Sequence, residues 1–169
     1  MTGSGSDHER ASETPRRRAL GPALRQAWVT YQRLVDAEMA RAGFEDRRLP
    51  DGRVMRLCQV TDDLTAASIG RELGISRQAA GKLTMDLARR GYLAIGTSPA
   101  DGRQKILCLT PRGIAYLDAQ QAAFAGVRDH IRVQIGDEAY ENLLNALEML
   151  EALGGEGQPG LRDYVLQRR

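Results

Sequence analysis

At 169 residues, with 42% hydrophobic and 27% charged residues, the chain is long enough for one ordinary domain and too balanced in composition to be disordered throughout. Its formal net charge is +2, so total charge alone does not mark a nucleic-acid binder. No stretch approaches the roughly 20 apolar residues that cross a bilayer, and Cys58 and Cys108 show no CxxC or Cys/His spacing, which excludes a zinc motif or a disulfide framework and predicts a reducing, cytoplasmic setting.

Residues 1–18 are small, polar and charged without apolar periodicity, which predicts a disordered tail. Within it, Arg16, Arg17 and Arg18 are either solvated charge or a flexible arm that meets phosphate. From about Pro22, the residues Leu24, Trp28, Tyr31, Val35 and Met39 recur at helical steps, and Gly43 follows. Leu49-Pro50-Asp51-Gly52 then supplies a turn before a helix from Arg53 to about Val60, with Val54, Leu57 and Cys58 inward. Thr65 can cap a helix that buries Ile69 and Leu73 and stops at Gly74, while Ser76 can cap the next, with Ala80, Leu83 and Leu87 inward and Gly91 as its end. Two short helices around a tight glycine turn predict a helix-turn-helix.

Leu93–Thr97 and Gln104–Leu109 read as strands around Ser98-Pro99-Ala100-Asp101-Gly102-Arg103, a β-wing. Thr110 and Pro111 start a long helix carrying Ile114, Leu117, Phe124, Ile131 and Ile135 on its apolar side. A last helix follows Asp137, with Tyr140, Leu143, Leu144, Leu147 and Leu150 on one side. Residues 154–169 predict a flexible extension.

Charge is unevenly placed along this layout. Between Thr65 and Gly113 stand Arg71, Arg77, Lys82, Arg89, Arg90, Arg103, Lys105 and Arg112 against Glu72, Asp86 and Asp101; from Asp137 to Leu153 there are acids and no bases. One basic end fits a surface that meets phosphate. On the helix after Ser76, the residues Ser76, Arg77, Gln78, Gly81 and Lys82 lie opposite the apolar side. Arg can bridge guanine O6 and N7, Gln can pair with adenine, and a hydroxyl can meet phosphate. A mid-helix glycine costs about 1 kcal/mol relative to alanine, a cost that makes sense at Gly81 if a side chain there would strike DNA. Arg103, on a narrow loop, suits a minor groove. The only histidines are His8, in the tail, and His130, alone on the long helix. No nucleophile–base pair, phosphate loop, metal cluster or cofactor motif is present, so the reading is not an enzyme.

The order of helix-turn-helix, strand, Pro-x-Asp-Gly-Arg tip, strand and Leu109-Thr110-Pro111-Arg112-Gly113 resembles the MarR family of winged-helix transcription regulators, from about Leu24 to Leu153. The chain departs from that pattern at Ser68, Gly70 and Ala94, where the family often has a glutamate, an alanine and a basic residue. The resemblance implies a mainly α (α+β) fold over 19–153. A winged helix-turn-helix DNA-binding lobe (53–113) would sit on a helical dimerisation base formed by the first and last two helices (19–42 and 111–153). It implies a homodimer on a pseudo-palindromic duplex, acting as a repressor, with Asp101 bracing the wing. It also implies a small aromatic or phenolic effector in the cleft between base and lobe, lined by Trp28, Tyr31, Met55, Cys58 and Tyr116, unless those residues are simply core. Two alternatives stay open: a winged-helix module that binds protein, and a cysteine-based redox sensor. The expected burial of both cysteines weighs against the second.

Overall fold

Residues 19–61, 64–97 and 105–153 are described by a computed structural model. The expected tails at 1–18 and 154–169, and the wing tip at 98–104 with Asp101 and Arg103, lie outside the described residues. In chain order the elements are α1 (Leu20–Arg41), α2 (Asp51–Val60), α3 (Ala66–Leu73), α4 (Arg77–Arg89), β1 (Leu93–Thr97), β2 (Lys105–Leu109), α5 (Pro111–Ile135) and α6 (Asp137–Ala152). The fold is mainly α, with one two-stranded antiparallel sheet running in register from Leu93↔Leu109 to Thr97↔Lys105.

Only the second half of the α1 stripe enters the core. Val35 and Met39 are buried and Tyr31 is half-buried, but Trp28 is 45% exposed, stacked on Tyr31 with ring centroids 5.9 Å apart. Helix α2 begins two residues before the expected start. Asp51 and Gly52 are helical rather than part of the turn, because the Asp51 carboxylate accepts the Arg48 amide at 3.0 Å and places negative charge at the helix N-terminus. Gly52 has a packing reason to be glycine: a Cβ there would collide with the Gln120 side chain, so α2 lies close on α5 at this point.

The core is built from α1, α2, α3, α4, the hairpin and the first half of α5. Val54, Met55, Ile69, Leu73, Leu87, Tyr92 and Tyr116 are fully or almost fully buried, each aliphatic side chain contributing about 1.5–3 kcal/mol by leaving water. Phe44, Tyr92 and Tyr116 meet edge-on or tilted, at centroid distances of 5.2 to 6.3 Å. Thr110 caps α5 by accepting the Gly113 amide at 3.1 Å, and Pro111 occupies the first turn, where an amide hydrogen is not needed. The inward stripe of α5 is Gly113, Tyr116, Leu117, Gln120, Ala123 and Val127. Ile114 falls on the far side of that stripe and is exposed, and Ile135 is exposed at the helix end, both contrary to the sequence expectation. Cys108 likewise differs: its neighbour Leu107 takes the inward side of the pleat, so Cys108 faces solvent.

Helix α6 has the expected apolar side, but no residue of it is buried. Leu143, Leu144, Leu147 and Leu150 recur along one face and stay exposed. Arg132 ties the start of α6 to α5 through Asp137 at 2.6 Å and Glu141 at 3.3 Å.

Candidate nucleic-acid interface

The helix-turn-helix is held by local caps at both of its helices. Thr65 Oγ1 accepts the Ser68 amide at 3.2 Å, and Ser68 Oγ accepts the Thr65 amide at 3.0 Å, a reciprocal capping box. Ser68 thus does with a hydroxyl what a glutamate does at the same position. Gly74 ends α3 at φ 64°, a left-handed conformation that glycine adopts without a Cβ penalty, and the Ile75 amide donates back to the Gly70 carbonyl at 2.9 Å. Ser76 Oγ then accepts the Ala79 amide at 3.2 Å and opens α4. Its own hydroxyl hydrogen remains able to donate to an acceptor in front of the helix.

Within α4, Ala80, Thr84 and Leu87 are buried and Leu83 is half-buried against the core. Arg77, Gln78 and Lys82 are exposed, as is Ser76 at the cap, and Gly81 is half-exposed. A Cβ at Gly81 would meet nothing within 4 Å, so no neighbour among the described residues demands glycine there. The hairpin follows α4 directly. Thr110 anchors its base, donating to the Gly91 carbonyl at 2.6 Å, and the Leu107 amide donates to the Leu64 carbonyl at 2.9 Å, tying β2 to the start of α3.

The basic run divides into two groups in space. Arg90 points inward: its guanidinium makes a two-pronged contact with the fully buried Asp51 at 2.8 and 2.9 Å, donates to the Asp46 carbonyl at 3.0 Å, and brings Nε to 2.9 Å from Asp86. Arg112 lies over the rings of Tyr92 and Phe44, 4.9 and 5.6 Å from their centroids. Asp86 also receives Arg48 at 2.8 Å and Arg89 at 2.5 Å. Burial would raise its carboxyl, but the Arg89 hydrogen bond and the charges of Arg90 and Arg48 outweigh that and hold it below the usual carboxylate range. This network clamps the C-terminal end of α4 to the N-terminal end of α2. The sequence places Asp51 in a turn and Arg90 at a helix end and gives no sign of the pair, because the two residues are 39 apart and Asp51 has nearer cations in Arg48 and Arg53.

The residues expected around an effector fall in different places. Met55 and Tyr116 are fully buried in the core, and burial raises the Tyr116 hydroxyl well above its ordinary value. Cys58 is half-buried; burial first, and the nearby Cys108 second, push its thiol up to about 11, which keeps it protonated and weakly nucleophilic at neutral pH. Trp28 is exposed. Tyr31 lines a cleft of about 400 Å³, together with Phe124, Arg128 and Tyr140. A neighbouring cleft of about 240 Å³ runs between α2 and α5 beside Arg56, Leu117 and Gln121, and shares Phe124 with the first. His130 is exposed on α5. Among the described residues there is no cluster of three or more His, Cys, Asp or Glu able to hold a metal, and no helix long and apolar enough to cross a membrane.

A capped helix-turn-helix followed by an antiparallel hairpin defines a winged-helix protein. Residues 47–104 match a model of the MarR family. Over that segment, which carries the helix-turn-helix and β1, the chain is similar to the MarR family. Among solved structures, it is similar to the S. aureus MepR–DNA complex (20% identity, TM-score 0.62, covering 79% of this chain and 98% of that one). It is also similar to the transcriptional repressor CouR bound to a 23-mer DNA duplex (25% identity, TM-score 0.61, 79% and 92% coverage). A probable transcriptional regulator from Pseudomonas aeruginosa is similar over 79% of this chain and 97% of its own, at 21% identity and a TM-score of 0.61. No curated protein sequence matches the chain.

Proposed function

We propose that the protein is a sequence-specific regulator that binds a pseudo-palindromic duplex as a homodimer, acts as a repressor, and responds to a small aromatic or phenolic effector. The observation that carries the reading is the outward side of α4, where Arg77, Gln78 and Lys82 stand exposed with no role in the core. In the major groove, Arg77 and Gln78 meet base edges, Lys82 meets phosphate or guanine, and Ser76 donates to a phosphate oxygen. Arg103, at the tip of the wing, enters the adjacent minor groove, and Asp101 braces the loop. MepR and CouR, both similar in fold, are found with DNA.

The homodimer reading rests on α6, whose leucine face stays exposed, with none of its residues buried among the described residues. Pairing of two such faces sets two lobes on half-sites about 10–10.5 bp apart. An effector in the cleft along α5 changes the angle between lobe and base, and so shifts the population that fits that spacing.

Fluorescence anisotropy on duplexes selected from a random pool, across a salt series, tests the DNA reading. Lys82→Ala and Arg103→Ala are each expected to weaken binding and to lower the salt slope by about 1. Undiminished duplex binding in both variants overturns the helix-and-wing geometry. Salt-insensitive binding to a protein partner, with no duplex affinity, favours an interaction module instead.

A further inference from the structure

The outward face of α4 carries one large apolar side chain. Gln78, Lys82, Met85 and Arg89 succeed one another at steps of four, three and four, forming a ridge opposite Ala80, Thr84 and Leu87. Met85, in the middle of that ridge, is 67% exposed. The core takes its contacts from the other side of the helix, so Met85 is not there to fill it. Arg89, the next residue on the ridge, is drawn toward Asp86 at 2.5 Å, which leaves the polar reach of the ridge to Gln78 and Lys82.

Met85 also has an unusual neighbour. A helical side chain leans toward the N-terminus and covers the turn before its own Cα, which for Met85 is the turn holding Gly81 and Lys82. At Gly81 there is no side chain, and a Cβ built there would touch nothing within 4 Å. The glycine therefore leaves an open notch beside a flexible, unbranched thioether that can settle into irregular contacts. From Gln78 to Met85 the helix advances about 10 Å, at about 1.5 Å per residue, so the two side chains address different base pairs.

The floor of the major groove offers polar edges at every base pair and a single apolar group, the C5-methyl of thymine. We infer that Met85 is a specificity-determining residue, whose side chain packs over Gly81 against the C5-methyl of one thymine in each half-site while Gln78 and Lys82 take polar edges or phosphates nearby. The inference rests on the proposed binding of duplex DNA through α4. It gives Gly81 a role beyond avoiding a clash: its missing side chain makes room for the methyl group and for Met85 together.

Replacing thymine by deoxyuridine removes only the methyl and leaves the pairing intact. Duplexes selected from a random pool by the full-length protein would be scanned this way, one thymine at a time, by anisotropy at fixed salt. The wild-type protein is expected to lose about three- to fivefold in affinity at one symmetry-related thymine per half-site, the size expected from burying one methyl group. Met85→Ala is expected to bind the thymine duplex several-fold more weakly and to bind thymine and deoxyuridine duplexes equally; Met85→Leu is expected to keep the discrimination. Unchanged thermal unfolding of both variants, as the exposure of Met85 implies, separates this from misfolding. Specific binding with no deoxyuridine-sensitive position, or a methyl penalty that survives in Met85→Ala, overturns the role of Met85 and leaves the DNA reading standing. Failure to enrich any duplex overturns the DNA reading and this inference with it.

Discussion

The winged lobe and the helical base of this chain solve burial in opposite ways. In the lobe, short helices α2, α3 and α4 and a small hairpin close over a core of fully buried side chains, and even the charged pair Asp51–Arg90 is enclosed and satisfied by both prongs. In the base, α6 displays a row of leucines to solvent and is tied to α5 by ion pairs at its start. One region closes its own core; the other has an apolar face that the described residues leave uncovered. Specific contact with a ligand such as DNA benefits from the first condition, since a rigid lobe holds α4 in a fixed pose. The proposed homodimer depends on the second.

The comparison breaks most visibly if the leucine face is charged. Leu144→Glu with Leu147→Glu is expected to halve the mass measured by light scattering on a sizing column, while far-ultraviolet circular dichroism still reports a folded lobe. An unchanged mass would separate α6 from assembly. In the lobe, Asp51→Asn takes the two-pronged carboxylate from Arg90 and leaves it only Asp86, 2.9 Å from Nε, and Asp46; a loss of about 2–4 kcal/mol of unfolding free energy, somewhat below that of a fully unpaired buried charge, is expected by denaturant titration, and a loss below about 1 kcal/mol would show that the clamp on α4 is not enclosed as described. The smallest effect is expected at Tyr116, whose buried hydroxyl finds no acceptor among the described residues. Tyr116→Phe should leave stability unchanged or raise it by up to about 1 kcal/mol, and a clear loss would reveal a partner for that hydroxyl.

Much of the layout was legible in the chain because it is encoded locally. Thr65, Ser76 and Thr110 each cap a helix as their position before an apolar period suggests, and Gly74 stops α3 in the left-handed conformation. The failures share a cause: they concern which side of an element meets its neighbours. Cys108 sits in an apolar strand, yet a two-residue pleat sends Leu107 inward and Cys108 out. Ile114 fits a helical count of apolar residues, but the inward stripe of α5 follows Tyr116, Gln120 and Ala123, leaving it outside. Within the candidate interface, the exposure of Ser76, Arg77, Gln78 and Lys82 follows from the period of α4 alone, whereas an apolar residue such as Met85 counts with the core until the fold shows it exposed.

By itself the sequence determined the order of elements, their caps, and the resemblance to a family, since these depend on residues a few positions apart. Tertiary structure alone decided the fate of the charges and the apolar faces. Arg90 and Arg112 belong to the same basic run as Lys82, but Arg90 is spent on a carboxylate 39 residues away and Arg112 on two aromatic rings, because folding brings those groups within contact and leaves Lys82 in water. Distance along the chain carries no information about such encounters. Packing supplies it.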